Sequence, residues 1–111
     1  MKHTEVKMKS KMKKAERSLS GTSFHGHVVT ATVLELKQVL GEESFRNGDK
    51  TQYEWEMELG DDVFRVYDYK TYTPIDPATT IVEWHIGGFS EAVTAKVAAM
   101  IQDKVHSLYN Q

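Results

Sequence analysis

In Thr51-Gln52-Tyr53-Glu54-Trp55-Glu56-Met57-Glu58-Leu59 the polarity alternates without a break: Tyr53, Trp55, Met57 and Leu59 are apolar or aromatic, and Gln52, Glu54, Glu56 and Glu58 are polar. Successive side chains of a strand point to opposite faces, so this pattern predicts an antiparallel strand with one face in a core and one charged. Gly60-Asp61-Asp62 then reads as a turn into a second strand, Val63-Phe64-Arg65-Val66-Tyr67-Asp68-Tyr69. Phe64 and Val66 are expected in the core, with Arg65, Tyr67 and Tyr69 on the other side.

Working outward toward the C-terminus, residues 71–80 contain both prolines, Pro74 and Pro77, and predict a loop over one end of the sheet. Ile81-Val82-Glu83-Trp84-His85-Ile86 is the next strand, with Val82, Trp84 and Ile86 on one face, and Gly87-Gly88 is expected to end it. Ser90 caps a helix whose stripe of Val93, Val97, Met100, Ile101, Lys104 and Leu108 extends to about Tyr109. Toward the N-terminus, Glu42 to Lys50 reads as a polar loop with its turn at Asn47-Gly48-Asp49. Before it, Thr30 or Thr32 caps a helix to about Leu40. Thr32-Val33-Leu34-Glu35 matches a capping box, and Gly41 supplies the residue that ends the helix. Phe24-His25-Gly26-His27-Val28-Val29 predicts a first strand with a bulge or close approach at Gly26. The order is β-α-β-β-β-α, which makes a two-layer α+β domain: a four-stranded antiparallel sheet with two helices.

A length of 111 residues, 40% apolar, suits one core and one domain. Residues 1–20 hold seven Lys and Arg against two Glu, and residues 21–111 hold seven against fourteen Asp and Glu, so a basic arm precedes an acidic domain over 21–111. The Lys7 to Lys14 stretch alternates Lys with Met or Ser, could pair only if a partner covered one face, and is expected to be mobile alone. Ordered structure is expected from about Gly21. The acidic body would repel a phosphate backbone, so nucleic acid is not an expected partner. The chain has no cysteine, and the charged start Met1 to Lys7 leads into no apolar run, so a cytoplasmic protein with neither leader nor membrane anchor is expected.

No Gly-x-Ser-x-Gly elbow, Walker loop or His-Glu-x-x-His helix is present, and no cofactor is expected. His25 and His27, two residues apart, could share a strand face and hold a metal with a carboxylate, but Gly26 disturbs that geometry and a structural role weighs more. His85 could act as a general base oriented by Asp68, with Lys70 beside it. The run Trp84 to Ser90 delivers a strand through Gly87 and Gly88 to a helix N-terminus, where free N–H groups suit a phosphate. The same pair also suits a plain turn needing positive φ. Arg65, Lys70 and Arg46 could add charge there, while Tyr67, Tyr69 and Trp84 offer flat surfaces to a base. Trp55 and Trp84 equally suit a core, which weighs more for both.

Lys50-Thr51-Gln52-Tyr53-Glu54-Trp55, Tyr67-Asp68-Tyr69-Lys70 and Trp84-His85-Ile86-Gly87-Gly88, in that order, resemble the motifs of small phage proteins of the first anti-Thoeris family. The resemblance covers about residues 22–103, and the basic arm departs from it. Members of that family are sponges that sequester cyclic ADP-ribose isomers made by bacterial TIR-domain defence enzymes. The resemblance implies a homo-oligomer with pockets between subunits, tight binding of a cyclic nucleotide without turnover, capture of cyclic oligonucleotides from a related defence system, and action in the cytoplasm of an infected bacterial host. The ligand-binding residues expected from the chemistry above are Arg65, Tyr69, Lys70, Trp84, His85, Gly87 and Gly88. Two other readings stand beside it: a module blocking a host factor through the acidic face of Glu54, Glu56 and Glu58, and a small phosphodiesterase-like enzyme.

Overall fold

A computed structural model describes residues 11–48 and 50–110. The elements are β1 (Met12–Lys14), β2 (Ser23–Ala31), α1 (Val33–Leu40), β3 (Phe45–Arg46), β4 (Tyr53–Leu59), β5 (Asp62–Tyr67), β6 (Val82–Gly88) and α2 (Glu91–Ser107). All strand pairs are antiparallel, in the order β1-β4-β5-β6-β2, with β3 also on β4. The class is the expected α+β, but the sheet has six strands where four were expected. The two additional ones are short and borrow their regularity from β4, since Met12 to Lys14 pair with Leu59 to Met57 and Phe45 and Arg46 with Glu54 and Tyr53. Three basic-rich residues and two residues of a polar loop carry no period of their own. Lys7 to Ser10 of the arm lie outside the described residues, as does Asp49 of the expected turn.

The β4–β5 hairpin turns on Gly60 and Asp61, with Gly60 at φ +60°. Tyr53, Trp55, Met57 and Leu59 are buried together with Phe64 and Val66. On α1, Thr32 and Glu35 form the capping box in both directions: Glu35 N donates to Thr32 Oγ1 at 3.2 Å and Thr32 N to Glu35 Oε1 at 2.8 Å. Gly41 ends α1 at φ +88° and its carbonyl accepts from Trp55 Nε1 at 2.9 Å, tying the helix end to β4. Val33, Leu36 and Leu40 of α1 and Val97, Ala98, Ile101 and Val105 of α2 complete the core from the helix side. Both helices therefore cover one face of the sheet and, among the described residues, leave the other without a helix.

Gly87 and Gly88 do not end β6 but belong to it. Gly87 pairs with Phe24 and Arg65, and Gly88 with Ser23 and Phe64. Neither has positive φ. Among the described residues no helix is long and apolar enough to cross a membrane.

Candidate functional site

On the face without helices, the register aligns residues in rows across β2, β6, β5 and β4. One row is Val28, His85, Tyr67 and Glu54, and the next is Phe24, Gly87, Arg65 and Glu56. Between Phe24 and Val28 the β2–β6 register shifts, because the chain takes four steps against two on β6, with Gly26 at φ +96° in the bulge. The bulge brings the Phe24 ring onto His85, stacked at 4.0 Å and 14° between planes. Tyr69 stacks on the same imidazole at 5.5 Å, and Tyr67 meets it edge-on at 5.5 Å. These four rings surround a hollow of about 300 Å³. Phe24 is 41% and Tyr69 43% exposed, so the ring set is open to solvent rather than a second core.

Gly87 has no side chain between Phe24 and Arg65, and there the face deepens into a depression of about 250 Å³, lined among others by Thr22, Lys50, Arg65 and Tyr69. An added Cβ at Gly87 would meet Tyr67 Cε1 at 3.5 Å. Arg65 lies along the depression with Nη1 2.9 Å from Glu54 and 3.3 Å from Glu56, and Nε donates to Thr22 Oγ1 at 3.1 Å. Two carboxylates on one guanidinium leave this corner without surplus positive charge. Burial pushes the Glu54 carboxyl above its ordinary pKa, Arg65 opposes that, and neighbouring Glu56 adds to it. Burial likewise lowers the pKa of His85, with Glu83 opposing, so the imidazole is neutral at pH 7. Burial raises the Tyr67 phenol, and Glu54 adds to the effect.

Of the expected binding residues, Arg65, Tyr69, His85 and Gly87 come together on this face. Lys70 stands at its rim at φ +53°, with Nζ 5.2 Å from the Tyr69 ring centre and its N–H on the Lys50 carbonyl at 2.9 Å. Trp84 is corrected. It is fully buried on the helix side, its Nε1 donates to the Ala31 carbonyl at 2.9 Å, and it offers no surface to a ligand. Gly88 is corrected as well: its Cα faces α2, where a Cβ would lie 2.8 Å from Thr94 Cγ2. Both glycines lie between two paired strands, which engages them in the ladder, and Glu91 stands in the first turn of α2. The expected phosphate cup is therefore closed and faces a like charge.

Asp68 does not orient His85. It is fully buried and its Oδ1 accepts from the Gln52 and Tyr53 N–H groups at 2.8 and 2.9 Å, holding the start of β4. His25 and His27 have separate partners. His27 Nε2 is 2.6 Å from Glu91, and His25 Nε2 is 3.2 Å from the Gly88 carbonyl. The acidic face is largely engaged from within: besides Glu54 and Glu56 on Arg65, Glu58 is buried, accepts from Glu16 N at 3.0 Å and lies 3.4 Å from Arg17 Nε. The Glu16 amide, with Arg17 and Lys13, holds its carboxyl below the ordinary range. Phe24 and Lys50 were not singled out as site residues. Phe24 is placed by a bulge whose size no alternation pattern encodes, whereas Lys50 sits inside a motif and could have been found there. No family model, curated protein or solved structure matches the chain.

Proposed function

We propose that this chain is a binding protein without catalytic turnover, and that it captures a nucleotide of the cyclic ADP-ribose class, and related cyclic nucleotides, on the helix-free face of its sheet. The observation that carries the reading is the ring set of Phe24, Tyr67, Tyr69 and His85, gathered around a hollow next to a depression with Lys50 at its wall. Solvent-facing rings of this kind accept a base by stacking, at about 1–3 kcal/mol per base. Capture without cleavage is supported by His85, whose close neighbours are other rings and which, among the described residues, has no carboxylate hydrogen-bonded to it.

A tray open on one side encloses too little of a ligand for tight capture, since ligand sites usually bury about 70–90% of the ligand surface. A second copy of the chain closes it, and the assembly works in the cytoplasm of an infected bacterium against nucleotide-signalled defence. Engagement of Glu54, Glu56 and Glu58 by Arg65, Arg17 and Lys13 weighs against a protein-blocking acidic face.

The test is incubation with cyclic ADP-ribose isomers, removal of free ligand, heat release and mass spectrometry. Intact ligand is expected from the native chain and none from the exposed-ring variant Phe24→Ala/Tyr69→Ala. Linear product would make the chain an enzyme, and equal retention by the variant would move the site elsewhere.

A further inference from the structure

The ring hollow has a polar neighbour. It shares Tyr67 and Tyr69 with the depression over Gly87, whose lining also includes Thr22, Glu54 and Arg65. A base stacked on the rings therefore holds the sugar it is joined to at the mouth of that depression. We propose that the depression takes the ribose of the captured nucleotide, and that the Glu54 carboxylate accepts from the 2′ and 3′ hydroxyls, so that Glu54 tells a ribonucleotide from one lacking those groups. This rests on the reading of the ring tray as a nucleotide site, and it names a part of the ligand which that reading leaves open.

Register puts the carboxylate beside the rings. Glu54 pairs with Tyr67 across β4 and β5, and Tyr67 pairs with His85 across β5 and β6, so the three share one row on the tray face. In the next row Gly87 leaves a gap between Phe24 and Arg65, and about 250 Å³ stays open above it. A Cβ at Gly87 would stand 3.5 Å from Tyr67 Cε1 and 3.7 Å from the Ser23 carbonyl, so even one methyl would narrow the floor.

The chemistry of the wall selects hydroxyls. Arg65 Nη1 donates to Glu54 Oε2 at 2.9 Å, and Arg65 Nε donates to Thr22 Oγ1, which in turn donates to the Leu19 carbonyl at 2.8 Å. This chain of bonds sets the carboxylate in place before a ligand arrives, so little ordering is left to be done on binding. It also occupies the Thr22 hydroxyl and only one side of Glu54. An ionised carboxylate has about four acceptor sites, and a vicinal pair of sugar hydroxyls supplies the donors they lack. A phosphate oxygen has no proton to give and would meet Glu54 as a like charge. Burial raises the proton affinity of the Glu54 carboxyl, which strengthens it as an acceptor.

The experiment is calorimetry with adenosine and 2′,3′-dideoxyadenosine on the native chain and on the variants Glu54→Leu, Glu56→Gln and Phe24→Ala, each checked for folding by thermal unfolding. The native chain is expected to bind adenosine about tenfold or more tighter than the dideoxy compound, the worth of a hydrogen bond to a charged group. Glu54→Leu should bring the two compounds close to equal affinity. Glu56→Gln alters the same guanidinium from outside the depression and should leave their ratio as it is in the native chain. Phe24→Ala should weaken both compounds alike. Equal affinity on the native chain overturns the ribose pocket without recourse to any variant. So does a ratio that a folded Glu54→Leu leaves unchanged, or that Glu56→Gln abolishes as well, and in each case weakening by Phe24→Ala keeps the ring tray. No heat with either compound overturns both.

Discussion

Gly88 has a hydrogen where any other residue would set a Cβ 2.8 Å from Thr94 Cγ2. Thr94 cannot swing aside, because it is buried and its hydroxyl donates to the Glu91 carbonyl at 3.0 Å. Gly88→Ala is therefore expected to cost about 1–3 kcal/mol. Thr94→Ser removes the offending methyl and keeps the hydroxyl, so the double variant should regain most of that loss in a four-protein urea-denaturation cycle. Gly87→Ala makes a contrast one residue away: its Cβ would make an ordinary 3.5 Å contact with Tyr67, and stability should stay within about 0.5 kcal/mol while ligand retention falls. His85 adds a pH dependence. Its proton affinity is lowered by burial, so above the ordinary histidine pKa both folded and unfolded chains are neutral, and as pH falls through that value the unfolded chain takes up the proton more readily. Stability is expected to drop below about pH 6.5, and thermal melts of His85→Phe should show a shallower drop than those of the native chain.

Among the elements, α1 is short and its capping box satisfies donors at its first turn, so Thr32→Ala should cost about 1 kcal/mol in a denaturation experiment. That box was legible because both partners lie within four residues of sequence. The β4–β5 hairpin was legible for the same reason: period-two alternation in Tyr53 to Leu59 specifies a buried face, and Gly60 and Asp61 specify the turn. Strands β1 and β3 were not, since they exist only through pairing with β4, across more than forty residues for Met12 and Leu59. The site divided along the same line. Alternation in β6 separates Trp84 from His85, but only the third dimension says which face the helices cover, and Trp84 went to the core while His85 went to the tray. Gly87-Gly88 signalled close approach correctly, but at Gly88 the approaching group is Thr94 and not a phosphate.

For the molecule as a whole, two helices on one face leave the ring tray as an unroofed surface, with Phe24, Val28 and Tyr69 all more than a third exposed. That exposure means that, among the described residues, no part of a single copy reaches over the tray to close it. If a second copy supplies the roof, ligand binding and self-association share one free energy: ligand must tighten the dimer by the same factor by which dimerisation tightens the ligand. Sedimentation velocity at micromolar protein should therefore shift toward the dimer when cyclic ADP-ribose or AMP is added. Phe24→Lys, which puts a charge into the rings without touching the core, should abolish both the shift and the binding. An unchanged sedimentation coefficient under conditions where calorimetry shows the ligand bound would mean that each copy holds its ligand alone. The tray would then bind by stacking on one side, with the rapid release that an open face permits, which is incompatible with sequestration.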